Sequence, residues 1–444
     1  MNNKVNKPGG VCSHVRVAAY KSLFAIDDKR RFSNIELDLQ IKRTNFEGSD
    51  RALYTALVYG VLETKLRLDY LISYFTRRPA SELDPDVRCV LRLAAYQSCF
   101  MTRIPAHAIC SESVELCKRV CTRPKAKAGL VNAVSRKLTE KGREVPLPTR
   151  ERNVINNLSI RYSISEDIAR LWNTTYGTER TESILSVIGS SEFTSRLPLR
   201  VNSLRYTLSE LIERLPTSIK SIAESKLSEW GLILHGSPVS ELSCISDGSA
   251  FVQDEASQFC AELLLPKKGM KILDACAAPG GKSFSCAMLM NNEGHIDSCD
   301  LHANKLALIN EGAARLGIDI IQTSARDSSV FVPDLENAYD RVLCDVPCSG
   351  LGVIGKKPEI RYKSLSDFDR LPDIQYRILS NCSRYLRRGG RLVYSTCTLN
   401  ASENENNIRR FLDVHEEFML VSERTLFPDT DGCDGFYTAA MIRK

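Results

Sequence analysis

The sequence predicts a multidomain chain in three parts. These are an all-α N-terminal domain at residues 12–142, a small α/β middle module at 153–249, and a C-terminal α/β domain of Rossmann-like, doubly wound type at 250–444. Three observations predict this. Residues 12–142 repeat apolar positions at three-and-four spacing, the period of helices that bury one face. Residues 250–444 alternate short apolar runs with helix-length segments, the pattern of βα units in a mostly parallel sheet. At 444 residues the chain also exceeds one ordinary core, since single domains run to about 100–200 residues.

In the first part, "VRVAAYKSLFAI", "DRALYTALVYGVLETKLRLDYLISYF", "DPDVRCVLRLAAYQSCFM" and "HAICSESVELCKRV" each read as one helix, with Asp50 and Asp84 at N-cap positions and Pro85 in a first turn. "REVPLPTRERN" breaks the periodicity with two prolines and mixed charge, as a linker does. In the middle module, "ISEDIARLWNTTYG" reads as a helix closed by Gly177. "LPLRVNSLRY" reads as a strand and turn, "LSELIERLP" as a helix and "GLILHG" as a short strand. In the last part "KILDA", "HIDSCD", "IDIIQT", "DRVLCD" and "RLVYST" are strands, separated by helices such as "NKLALINEGAARLG" and "DIQYRILSNCSRYLRR". In sheets of this kind ligands bind outside the carboxyl ends of the strands.

Composition is globular, 43% hydrophobic and 26% charged. No apolar run of about 18 residues is present and the N-terminus lacks the apolar segment of a signal peptide, so a cytoplasmic protein without membrane association is expected. Sixteen cysteines are scattered, from Cys12 to Cys433, with no paired C-x-x-C spacing, and the six histidines lie far apart; no metal site is expected. Cys117 and Cys121 share a helix face and read as packing.

The net charge of +6 hides an asymmetry: residues 1–144 hold 26 Lys/Arg against 15 Asp/Glu. The surplus thickens at Lys118, Arg119, Arg123, Lys125, Lys127, Arg136 and Lys137, with Lys141 and Arg143 beyond them. A lone charge run is usually a solvated helix face, but within 118–143 nine cations meet one acid, Glu140, which favours a polyanion partner such as nucleic acid.

"DACAAPGGKS" (Asp274–Ser283) joins the first strand of the last domain to its helix. It lacks the first glycine of a phosphate-binding P-loop and the spacing of a dinucleotide fingerprint. What remains is a small-residue turn that admits close approach of a nucleoside-type ligand. Asp300, Asp327 and Asp345 stand at later strand ends; any one alone is ordinarily a turn former, but with Asp274 they mark out a polar, adenosine-sized pocket. Two cysteines, Cys348 in "DVPCSG" and Cys397 in "STCTLN", lie just past strands in Pro/Ser/Gly/Thr loops at the same sheet edge. Read from the residues, they could be a redox pair, metal ligands, or nucleophile and helper.

"DACAAPGGKS", "DVPCSGLGVI", "STCTL" with "SENENNI", and "FVQDEASQ" resemble the motifs of RNA (cytosine-5)-methyltransferases of the NOL/NOP/Sun family. "LVYGVLE", "LDPDVRCVLRLAAYQ" and "RIPAHAICSESVELCK" resemble a NusB-like RNA-binding domain, a combination similar to the bacterial Sun/Fmu type of small-subunit (16S) rRNA methyltransferase. The resemblance implies S-adenosyl-L-methionine as cofactor, held by Cys276, Ala277, Ala278, Pro279, Gly280, Gly281, Lys282, Asp300, Asp327 and Asp345. Asp300 would take the ribose and Asp327 the adenine end. It implies Cys397 as the nucleophile that adds to C6 of cytosine, because C5 alone is too poor a nucleophile for a methyl sulfonium. Cys348 would assist release of the product, and Asp345 would hydrogen-bond the base, best as a protonated carboxyl. The implied partner is small-subunit rRNA, met by a monomer. A transfer RNA or large-subunit rRNA methyltransferase would share these catalytic residues, and a non-catalytic NusB-like RNA-binding factor would need the first domain alone. "VIGKKPEIRY" departs from the family in Gly355 and Lys356, where two arginines are usual, and "DVPC" carries Val346 where Ala is usual.

Overall fold

The structure, a computed structural model, describes residues 13–29, 33–236 and 239–444, so Cys12 lies outside the described residues. The chain divides into two compact units, one formed by Met1–Thr178 with Ile354–Ser364 and the other by Glu179–Val353 with Leu365–Lys444.

The first unit is helical: α1 (His14–Lys29), α2 (Ser33–Thr44), α3 (Gly48–Glu63), α4 (Lys65–Thr76), α5 (Pro85–Phe100), α6 (Ala106–Val120), α7 (Pro124–Lys141), α8 (Val154–Tyr162) and α9 (Glu166–Tyr176). Its core is a cluster of Leu, Val, Ile and Tyr side chains that includes Tyr54, Leu57, Leu68, Ile72 and Leu91. The buried Arg92 guanidinium is neutralised there by Asp27 and Asp69, each at 2.7 Å, which compensates the cost of burying its charge. Two details differ from the sequence reading. The stretch expected as one helix from Asp50 is two, interrupted at Thr64, whose hydroxyl and amide both turn back onto the Gly60 carbonyl. Asp50 sits inside the first turn of α3 rather than at its cap, and Asp84 occupies the cap position of α5, where its carbonyl takes the Arg88 amide but its side chain makes no capping bond. Ser165 caps α9 and Gly177, at φ +78°, ends it. Ile354–Ser364 packs among these helices: Arg361 donates to the Tyr162 carbonyl, and the Tyr362 hydroxyl bonds the Leu62 carbonyl.

The second unit opens with α10 (Thr178–Ile188, whose first residue belongs to the first unit) and α11 (Ser191–Thr194). A four-stranded sheet follows, made of β1 (Arg196–Val201), β2 (Ser221–Glu224), β3 (Gly231–His235) and β4 (Ala250–Val252), with α12 (Leu208–Arg214) and α13 (Ser243–Ser246) between strands. Its order is β2-β3-β1-β4, antiparallel throughout. A Thr207/Glu210 capping box starts α12. α14 (Glu255–Leu263) then leads into the main sheet: β5 (Lys271–Asp274), α15 (Gly281–Leu289), β6 (His295–Asp300), α16 (Ala303–Leu316), β7 (Ile321–Ala325), β8 (Tyr339–Asp345), α17 (Leu371–Ser383), β9 (Leu386–Thr396), α18 (Glu405–Val414), β10 (Phe418–Leu426) and β11 (Phe436–Arg443).

The order of this seven-stranded sheet is β10-β11-β9-β8-β5-β6-β7, with parallel pairings except the two that β11 makes, with β10 and with β9. From β5 the chain runs outward to β6 and β7, then returns to place β8 on the other side. The reversal leaves a crevice at the carboxyl ends of β5 and β8, where such sheets bind ligands. Among the described residues no helix is long and apolar enough to cross a membrane, and no cluster of three His, Cys, Asp or Glu side chains could hold a metal ion.

Candidate active site

The turn after β5 is shaped by glycine and short side chains. Gly280 adopts φ +110°, and a Cβ there would lie 2.4 Å from the Phe284 ring, so no other residue fits without displacing that ring. The Ala277 amide donates to the Cys299 carbonyl at the end of β6, which holds the turn against the neighbouring strand. A cavity of about 220 Å³ opens beside it, lined by Val252, Gln253, Asp254, Ser257, Asp274, Cys276–Pro279, Gly281, Lys282 and Asp345. Two buried polar atoms in this lining have no partner within the protein, Gln253 Nε2 and Asp274 Oδ1. Burial pushes the Asp274 carboxyl up to about 7, and the Ser283 hydroxyl bonded to its other oxygen pulls the other way. One free donor, one free acceptor and small walls suit a polar ligand of nucleoside type.

Lys282, at the start of α15, points its ammonium at Asp345 at the end of β8, 2.7 Å from Oδ2. Burial opposes the lysine charge, but the adjacent carboxylate outweighs it and the ammonium pKa ends raised. The other Asp345 oxygen accepts from the Ser395 hydroxyl at 2.7 Å. Both Asp345 oxygens therefore face donors.

The two thiols come together. Cys348 and Cys397, each half-buried, stand with Sγ atoms 3.1 Å apart, joined by a hydrogen bond across 49 residues of sequence. The Cys397 contact, and then burial, push the Cys348 thiol well up. Backbone bonds fix the two loops: the Val346 amide donates to the Ser395 carbonyl, and the Gly352 amide to the Cys397 carbonyl. The Gly352 carbonyl then accepts from the Gly435 amide, just before β11.

Behind the thiols lies a polar network that sequence reasoning did not place. Glu403, Asn404 and Asn407 are at most 2% exposed. Glu403 accepts from the Ser349 amide and hydroxyl, from Gln375 and from Asn400. Asn404 accepts from Thr396 and donates to the Thr398 carbonyl. The "SENENN" run was a usable signal, because such a polar stretch between a strand and an amphipathic helix has no need of solvent if the neighbouring loops supply its partners.

The remaining expected residues sit as follows. Asp300 ends β6, nearly buried, and takes the His302 amide at 2.9 Å with Lys305 at 3.5 Å. Asp327, after β7, accepts from the Ser329 amide and hydroxyl, which hold its carboxyl below the usual range. Both share the sheet edge with the cavity but do not line it, and Gly280 stands just outside the lining. In the helical unit, Arg119, Arg123, Lys125, Arg136 and Lys137 are exposed. Lys118 pairs with Glu115 at 2.7 Å. The Lys127 ammonium is held at 2.9 Å by both Asp84 and Asp86, two acids far from it in sequence.

Residues 261–442 match the family described as 16S rRNA methyltransferase RsmB/F, and residues 13–140 match the NusB family. The "Probable ribosomal RNA small subunit methyltransferase B" of Bacillus subtilis (strain 168) is 34% identical, over 97% of this chain and 99% of its own length. The protein of the same description from Synechocystis sp. is 31% identical over 96% and 95%. In fold, the crystal structure of PH0851 superposes with a TM-score of 0.79, covering 98% of this chain and all of that one at 24% identity.

Proposed function

The chain belongs to the RsmB/F family of 16S rRNA methyltransferases and carries a NusB-family domain, and from that premise we propose that it methylates C5 of one cytosine in small-subunit rRNA through a covalent bond from Cys397 to C6. The observation that carries this reading is the pair of thiols 3.1 Å apart beside the Lys282–Asp345 ion pair. A methyltransferase acting on a nucleophilic nitrogen or oxygen has no use for either sulfur.

The cavity beside Cys276–Lys282 has the free donor, free acceptor and small walls that fit S-adenosylmethionine, and Asp300 and Asp327, on the same sheet edge, would take its ribose and adenine. Bound there, the cofactor supplies an electrophilic methyl group. Cys397, as thiolate, adds to C6 and moves the electron pair of the C5–C6 bond onto C5. Asp345 and Lys282 meet the polar edge of the base as charge develops there. After C5 is methylated, its proton is removed with help from Cys348, the C5=C6 double bond re-forms, and the Cys397–C6 bond breaks to release the thiolate. A base stacked in a helix cannot present C6 to a thiol, so the target must be unpaired or flipped. Arg119, Arg123, Lys125, Arg136 and Lys137 would position the RNA through phosphate contacts, which orient without reading sequence.

The test is methyl transfer from S-adenosylmethionine to unmodified small-subunit rRNA, large-subunit rRNA and transfer RNA in parallel, with bisulfite mapping. One protected cytosine in the small-subunit RNA is expected. Methylation confined to transfer RNA would discard the substrate, and methyl found on a site other than C5 would discard the chemistry.

A further inference from the structure

Cys348 and Cys397 sit on separate loops, and loops alone do not hold two sulfurs at 3.1 Å. The strands behind them end at Asp345 and Thr396, and the Gly352 amide holds the Cys397 carbonyl. One buried side chain adds links to the residues around both thiols. Glu403 Oε2 accepts from the Ser349 amide at 2.9 Å and from Gln375 Nε2 at 2.8 Å, while Oε1 accepts from the Ser349 hydroxyl at 2.5 Å and from Asn400 Nδ2 at 2.9 Å. Ser349 directly follows Cys348. Gln375 Nε2 also donates to the carbonyl of Pro347, which directly precedes Cys348. The residues on both sides of one thiol are thus tied to one carboxylate, and Asn400, three residues past the other thiol, is tied to it as well. The Ser349 and Thr398 hydroxyls, beside Cys348 and Cys397 respectively, meet at 2.7 Å and close the loop.

Four donors fill the acceptor capacity of an ionised carboxylate. Glu403 is fully buried, and burying a carboxylate is costly compared with packing an apolar side chain of similar size. A purely structural filler at this position would be cheaper without the charge. We propose that Glu403 is the positioning residue of the active site, setting the spacing and aim of the Cys348 and Cys397 thiols through Ser349, Gln375 and Asn400. Its negative charge also falls on Cys348, adding to the Cys397 contact and the burial that raise that thiol. The inference rests on the two-thiol reading above, and it predicts an effect on turnover rather than on binding.

The experiment compares steady-state kinetics and melting temperatures of the full chain and four variants on small-subunit rRNA. Glu403→Gln keeps the shape but turns one oxygen into a donor facing donors. It should lower kcat by about 10–100-fold, the usual consequence of misplacing reacting groups by an ångström, with KM for both substrates within about two-fold. Asn202→Ala is the control: that amide is equally buried and joins Gly248 to Leu316, away from both thiols, so it should lower the melting temperature and leave kcat intact. Should Glu403→Gln fail to fold, Ser349→Ala decides, since it removes only the hydroxyl links; a kcat loss of about five-fold supports the proposal and none overturns it. Unchanged kcat in folded Glu403→Gln, or a kcat loss in both Glu403→Gln and Asn202→Ala that simply follows their melting temperatures, overturns it. Cys397→Ala, run alongside, separates the two readings: if it retains transfer, the two-thiol mechanism itself falls, whereas an inactive Cys397→Ala beside a fully active Glu403→Gln removes only the role given to Glu403.

Discussion

Among the described residues, contacting thiol pairs occur in both units, and two of them have opposite surroundings. Cys117 and Cys121 stand one turn apart at the end of α6, hydrogen-bonded to each other within the apolar cluster of the helical unit. Burial raises both thiols. Cys348 and Cys397 are brought together from loops 49 residues apart, with the Lys282–Asp345 pair nearby and Glu403, Gln375, Asn400 and Ser349 behind them. Proximity of sulfurs is common to both, so proximity alone does not mark chemistry. The difference is the investment around them. A packing pair sits on one helix and needs only volume, while the other is aimed by buried polar groups, each of which would be a liability without a partner.

The sharpest way to break this comparison is to remove one thiol from the sheet edge. Cys397→Ala should abolish methyl transfer, a loss on the order of 10⁴-fold or more as for other removed nucleophiles. Cys348→Ala should still transfer but stall, accumulating a protein–RNA adduct that survives denaturing electrophoresis. Free turnover without adduct in Cys348→Ala would show that the two sulfurs do not divide the work.

A smaller effect is expected from separating the loops without touching sulfur. A Cβ on Gly352 would lie 1.8 Å from the Gly435 carbonyl oxygen, so Gly352→Ala must push the Cys348 loop away from the start of β11. The expected cost is about 1–3 kcal/mol of stability, as for overpacking elsewhere. A fall in kcat should exceed what a calorimetric shift of that size explains. Equal activity at saturating substrate would mean that loop spacing tolerates the shift.

The smallest effect belongs to the helical pair. Cys117→Ala and Cys121→Ala each create a small cavity and should lower stability by about 1 kcal/mol while kcat on rRNA stays within two-fold. Loss of activity out of proportion to denaturant midpoints would give that pair a role beyond packing.

The fold was largely legible because its signals are local. Short apolar runs ending in Asp274, Asp300 and Asp345 each lie in one strand, and their alternation with helices specifies a parallel sheet. Gly280 announced itself through composition, and Cys348 and Cys397 through their Pro-Cys and Thr-Cys loops. What stayed hidden depends on partners distant in sequence. β2 is wholly exposed and β4 is three residues long, so neither shows an apolar pattern, and the hairpin of β10 and β11 is defined by its pairing against β9. Lys127 looked like free basic surface because Asp84 and Asp86 approach it from another helix. Glu403 and Asn407 were not singled out, because Gln375, 28 and 32 residues away, supplies hydrogen bonds that the local sequence does not show.

The segment Ile354–Ser364 gives the molecule an unusual relation to its own synthesis. The chain passes between the two compact units three times, near Thr178, Val353 and Ser364. The helical unit is therefore incomplete when its first 178 residues leave the ribosome, because Arg361 and Tyr362, which bond the carbonyls of Tyr162 and Leu62, have yet to be made. At 5–20 residues per second that wait is roughly 10–40 s. The helices spend it without those two partners for the Tyr162 and Leu62 carbonyls, and a fragment cut after Thr178 would lack them permanently.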